Sequence, residues 1–317
     1  FKEVSERQVS ALEGLNHALR HRVWERARRS GAADVGGPGA LWVDVDSTVK
    51  TVYGKQEGTA KGYNPHKPGA RSYHPLLAFC AATKEILQGW QRPGDAHTGN
   101  GAVGFVHQLL AQMPAHQRVV IRADSGFFNG ALLDALEEAG QGFLIKAKQT
   151  RALKRHLSTA SWQPIPHQPG WEQCTMVYQA QAWSGERTVV AVRRRQEPEA
   201  DPAQTALFDD GSYAVFAYVT SEALTPWQAH RRYGKRATAE TWIEEAKNHM
   251  GLGHLKTAHF WAKTRGLRPR PQHRSRLGPT PPCSNAPSWP TTPCAGWPCK
   301  AATVSCSAGS PARSGPS

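Results

Sequence analysis

The chain has 317 residues, room for one substantial core with an inserted subdomain or for two modest domains. Its net charge of +14 and pI of 9.8 point to polyanionic partners, because lysine and arginine displace counterions from nucleic-acid phosphates. No apolar run is long enough to span a bilayer, no charged-then-apolar leader opens the sequence, and no cysteine pair has zinc-site spacing. A cytoplasmic protein without membrane contact, zinc or disulfides is expected. Because Phe1 rather than Met comes first, the sequence is expected to begin inside a longer reading frame.

In chain order, Leu12, Leu15, Leu19 and Val23 recur at helical spacing and predict a helix from Ser5 to Arg29. Its basic end, from Arg20 to Arg29, reads as a solvated face. Gly31 to Gly39 reads as a linker. Leu41, Val43 and Val45 then alternate with Trp42, Asp44 and Asp46, which predicts a strand. Further strands are predicted from Tyr73 to Phe79 and Glu85 to Trp90, with a Gly, Lys and Pro-rich connection from Gly58 to Arg71 before them. A helix from Ala102 to Gln112, a strand from Arg118 to Ala123, a helix from Gly130 to Ala139 and a strand from Gly142 to Ala147 complete this part. Three strands followed by helix, strand, helix and strand predict an α/β fold, a mixed sheet flanked by helices. That is the element order of the RNase H-like fold.

The pattern changes from Thr150 to Tyr218, where Trp171–Tyr178, Arg187–Arg194 and Tyr213–Thr220 are β-rich and read as an inserted β-rich subdomain. Helical patterning resumes at Pro226. After Trp261 the chain turns rich in Pro, Ser, Arg and Cys and holds no acidic residue, so a disordered C-terminal tail is expected. The abrupt change suggests a frameshift that replaces native C-terminal helices. The expected organisation is therefore an N-terminal helical segment over 1–37, a catalytic domain over 38–149 resumed over 215–262, the β insertion over 150–214, and the tail over 263–317.

Two acids close predicted strands: Asp46 in Asp44-Val45-Asp46-Ser47-Thr48, and Asp124 in Arg122-Ala123-Asp124-Ser125-Gly126. Strand ends deliver side chains to the carboxyl edge of a sheet, where active sites of open α/β sheets gather. Two carboxylates there repel each other unless a cation sits between them, and hard oxygen ligands suit magnesium or manganese. Asp44 shares the strand face of Asp46, so either can be the first acid. A third acid comes from the helix that follows Tyr233. At about 100° per residue, Arg236, Glu240 and Lys247 fall within a sector of about 40°. Ala239, Ile243, Ala246 and Met250 form the neighbouring apolar stripe. Gly234 interrupts helix continuity and puts Tyr233 on the preceding turn, while Gly251 is a natural stop. Glu244 also lies near this face, so spacing leaves Glu240 and Glu244 both open as the third acid.

At these residues the sequence resembles bacterial insertion-sequence DDE transposases, transposase DDE domain group 1, which carry a Tyr-x2-Arg-x3-Glu-x6-Lys signature. Tyr233, Arg236, Glu240 and Lys247 meet it in full. The runs Asp46-Ser47-Thr48, Val52 to Gly58, Lys61 to Pro65 and Tyr73 to Leu77 look like the insertion-sequence thirteen-eighty family. The resemblance runs from about Leu41 to Trp261. It implies cut-and-paste DNA transposition by metal-dependent strand cleavage and strand transfer. Asp46, preferred to Asp44 because it precedes Ser47-Thr48, would hold two Mg2+ ions with Asp124 and Glu240, with Mn2+ able to substitute. Tyr233, Arg236 and Lys247 would hold DNA phosphates. The implied partners are double-stranded DNA, as terminal inverted repeats and as target, and a second copy of the chain when ends are paired. Two other readings share this sequence: a catalytically inactive DNA-binding remnant, and an RNase H-like nuclease. His66, His74 and His97 are assigned no role.

Overall fold

In the computed structural model, alternation along β1 (Leu41–Ser47) buries Leu41, Val43 and Val45 on one face and turns Trp42, Asp44 and Asp46 to the other. The structure describes residues 5–31, 39–54, 56–65, 67–196 and 213–248. The tail, most of the expected linker, His66, Met250 and Gly251 lie outside the described residues.

Strand β1 is an inner strand of a mixed sheet. It pairs antiparallel with β5 (Leu76–Cys80), which pairs antiparallel with β6 (Ile86–Trp90). On its other side it runs parallel to β7 (Val119–Ala123), and β7 parallel to β8 (Gly142–Lys146). Helices α2 (Ala102–Ala111) and α3 (Gly130–Glu138) make the crossovers that parallel strands need. The sheet continues through four more antiparallel pairings. In chain order the added strands are β9 (Gln163–Pro164), β10 (Trp171–Tyr178), β11 (Arg187–Arg195) and β12 (Tyr213–Thr220). The full nine-stranded order is β6-β5-β1-β7-β8-β12-β11-β10-β9. The β-rich segment is thus hydrogen-bonded into the main sheet through β12 and β8, and Thr150 caps α4 (Arg151–Ser158) at its start.

The strand expected from Tyr73 to Phe79 is two strands in two sheets. Arg71–Tyr73 is β4, the middle of a small sheet with β2 (Lys50–Thr51) and β3 (Ala60–Lys61), whereas Leu76 begins β5. The chain changes sheet at His74-Pro75, where proline has no N–H to continue a ladder.

Opposite faces of the sheet carry different helices. On one, Phe105 and Leu109 of α2, Leu132 and Leu136 of α3, and Leu153 and Leu157 of α4 pack on Val43, Val45, Ile121 and Phe143. Helix α1 (Glu6–Arg29), opened by a Ser5–Gln8 capping box, joins this core through Trp24. Its apolar row Leu12, Leu15, Leu19 and Val23 is exposed. On the other face, Ala229 of α5 (Pro226–Gly234) sits on Leu144, Val190 and Tyr218. Ile243 of α6 (Ala237–Asn248) sits on Leu77 and Phe79.

Candidate active site

Asp46 and Asp124 follow the last register pair of β1 and β7, Val45↔Ala123, and so leave adjacent parallel strands at one level. Neighbouring strands lie about 4.8 Å apart. Alternation puts both acids on the face that α5 and α6 cover.

Asp46 is buried; its Oδ1 accepts from the Ser47 amide at 2.8 Å and stands 2.8 Å from Arg236 Nη2 as an ion pair. Asp124 caps a single 3-10 turn, Ser125–Phe127, by accepting from the Gly126 amide at 2.9 Å. Gly126 is required there by close approach, since a Cβ would stand 2.9 Å from Thr98 Cγ2 and 3.0 Å from Asp124 Oδ1.

The helical patterning from Pro226, with its interruption expected at Gly234, is two helices. Thr225 caps α5 in a capping box with Gln228, Pro226 opens it, and it ends at Gly234; α6 starts at Ala237. Tyr233 therefore lies in the last turn of α5, not on a turn before the helix. The break aims the Arg236 side chain, just ahead of α6, down to Asp46. Burial works against the Arg236 charge, yet Asp46, then Tyr233, Asp124 and Asp44, more than offset it and raise its pKa. Burial raises the Tyr233 phenol; Arg236 opposes this and Asp124 and Asp46 add to it. These mutual influences bring Asp46, Asp124, Tyr233 and Arg236 into one constellation. The Arg236–Asp46 contact lacks hydrogen-bond alignment, and Arg236 Nε has no hydrogen-bond partner among the described residues.

Asp44, on the same face, has a different environment. Both of its oxygens are taken by Arg122, Oδ1 by Nε at 2.5 Å and Oδ2 by Nη2 at 2.7 Å. For Glu240 and Lys247 the described structure gives only their backbone positions in α6; their side chains lie outside it. Glu240 stands one turn before Ile243, which is buried against the sheet, and Glu244 is exposed.

Among the described residues no three His, Cys, Asp or Glu side chains gather as a metal cage. The two carboxylates are hard oxygen donors on neighbouring strand ends, a partial ligand set that fits magnesium.

The sequence reading missed His74. Its ring bridges the Ala96 carbonyl, 2.6 Å from Nδ1, and the Ser47 hydroxyl, 3.1 Å from Nε2; Ser47 Oγ lies 3.3 Å from Thr98 Oγ1. Burial, with Arg92 and His97, lowers the His74 pKa against the raising effects of the Ala96 carbonyl and Asp124. A neutral ring donating from Nδ1 to the carbonyl accepts the Ser47 proton at Nε2. Buried Arg92 pins the loop between β6 and α2, donating to the carbonyls of His74, His97, Thr98 and Asn100. The available signal was a histidine before proline inside an otherwise apolar run, Tyr73 to Cys80.

The family model described as transposase DDE domain group 1 matches residues 2–266. No curated protein matches the chain. Among solved structures, the cryo-EM structure of a piggyBac transposase synaptic complex with hairpin DNA is similar at a TM-score of 0.43 and 15% identity. The match covers 67% of this chain and 41% of that one.

Proposed function

This chain belongs to the transposase DDE domain group 1 family, and we propose that it cuts and rejoins DNA at the ends of a bacterial insertion sequence of the thirteen-eighty type. The observation that carries this reading is the placing of Asp46 and Asp124 level on adjacent strands, with Arg236 of the Tyr-Arg-Glu-Lys signature ion-paired to Asp46. The order β6-β5-β1-β7-β8, with only β1, β7 and β8 mutually parallel, supports an RNase H-like core for this chemistry. The β-rich strands β10 to β12 are read as the insertion between the second acid and the third.

Asp46, Asp124 and Glu240 are assigned as ligands of two Mg2+ ions, which supply nucleophile activation and leaving-oxygen stabilisation for in-line phosphoryl displacement; Mn2+ substitutes. Asp46 is preferred to Asp44 because both Asp44 oxygens are committed to Arg122. Glu240 is preferred to Glu244 by the signature, and Glu244's exposure supports that choice. By the signature, Arg236 is read as offering a planar charged fork to a DNA phosphate. Tyr233 offers a phenol kept protonated at neutral pH, and Lys247 a point charge from α6. The neutral His74–Ser47–Thr98 chain and Arg92 hold the edge around Asp46 and Asp124 in place. The protein is taken to act in the cytoplasm on double-stranded DNA, as a homodimer on paired terminal repeats.

The test is nicking of DNA that carries the element's own ends. Cleavage at the end junction is expected only with Mg2+ or Mn2+, and Glu240→Gln should abolish it while DNA binding persists. Loss in Glu244→Gln instead moves the third ligand. Cleavage indifferent to the terminal repeats points to a nuclease, and binding without cleavage to an inactive DNA-binding protein.

A further inference from the structure

Asp44 and Arg122 belong neither to the assigned ligands nor to the phosphate-holding residues, yet they are buried beside both sets. They are direct register partners on β1 and β7, and their fork-on-carboxylate geometry joins the strands that end in Asp46 and Asp124. The remaining guanidinium nitrogen, Nη1, donates to the main-chain carbonyl of Arg232. That carbonyl lies in the last turn of α5, where carbonyls have no partner within their own helix. The same turn is held a second time from β1, because the Arg232 guanidinium stands 5.0 Å from the centre of the Trp42 ring. The residues that follow are Tyr233 and, after the helix break, Arg236.

We propose that the Asp44–Arg122 pair is a positioning clamp: it seats the end of α5 on the β1–β7 strands and so sets where Tyr233 and Arg236 stand relative to Asp46 and Asp124. Neither residue touches DNA or metal. A guanidinium is needed because it serves two carboxylate oxygens and a carbonyl at fixed angles, which a lysine point charge does not. Asp44 thus repeats the residue type of Asp46 two positions earlier, but works on the helix rather than on the reaction. The catalytic consequence of the clamp rests on the transposase reading; the placing of α5 does not.

The experiment compares the full chain with Arg122→Lys and Asp44→Asn, by amide hydrogen exchange and by single-turnover cleavage of end-bearing DNA. Faster exchange confined to residues 232–240 is expected, with β1 and β7 protected as before. Cleavage should fall about 10- to 100-fold, as for a catalytic group displaced by about an ångström, while DNA affinity holds. Unchanged exchange at 232–240 in a folded variant overturns the clamp. So does loosening spread over the whole sheet in both variants, which makes the pair a general strut. A wild-type chain that does not cleave sinks the transposase reading, while the exchange data still judge the clamp.

Discussion

Arg122 and Arg193 stand in the two halves of one nine-stranded sheet and are held in different ways. Arg122 is 3% exposed, forked onto Asp44 and bonded to the Arg232 carbonyl. Arg193 is 24% exposed; it pairs with Glu172 and lies between rings, 4.5 Å from the centre of Trp162 and 4.2 Å from that of Tyr213. The first half, from β6 to β8, thus spends buried polar groups on fixed geometry around the strand ends. In the second half, from β12 to β9, Arg193 stays part-exposed and uses aromatic faces as partners, while buried Arg187 is forked onto Glu137 of α3. A dry charge tolerates one arrangement; a half-exposed one can be re-solvated when its partner goes. Of the two, Arg122, beside Asp46 and Asp124, is the geometrically demanding one.

The comparison breaks most visibly at Arg122. Arg122→Met should cost about 3–5 kcal/mol in urea unfolding, because it leaves Asp44 buried and uncompensated. The double change Arg122→Met with Asp44→Leu should recover most of that; a double variant as weak as the single one would locate the cost elsewhere. Arg193→Gln should cost only about 1 kcal/mol, the scale of an exposed ion pair plus a part-exposed cation–π contact. A loss as large as that of Arg122→Met would erase the contrast between the two arginines.

The smallest effect is pH-dependent and samples both halves. Burial lowers the pKa of His74 on one side and of His230, packed against Trp171 and Trp227, on the other. A histidine lowered in the folded chain takes up its proton first in the unfolded chain, so stability falls as pH drops below about 6.5. Glu85, raised by burial, opposes this trend nearer the carboxylate range. The melting temperature should therefore be lower at about pH 5.5 than at pH 7.5. His74→Gln and His230→Gln should each flatten the slope, and a slope untouched by both would remove the burial of these two histidines as its source.

Local patterning made much of this legible. Period-two alternation marked β1, β-rich runs marked β7, β8 and the strands β10 to β12, and helical patterning marked α2 and α3, because side-chain direction in these elements repeats over a few residues. The same patterning set Asp46 and Asp124 at strand ends. It did not reveal that Tyr73 and Leu76 belong to different sheets, nor that Tyr233 lies in the last turn of a helix rather than on a turn before one.

What the sequence by itself determined is the kind and placing of the chemistry-bearing residues: acids at the ends of two strands and a basic, acid-bearing helical segment after them. What only the tertiary structure decided is which charge answers which. Asp44 and Asp46 look alike in the run Asp44-Val45-Asp46, but one meets Arg122 from 78 residues away and the other meets Arg236 across a helix break. His74, given no role by its local pattern, lies against Ser47 because β4 and β5 meet there. Periodicity acts over a few residues, whereas a buried charge is defined by a partner that strand register and helix docking bring from far along the chain.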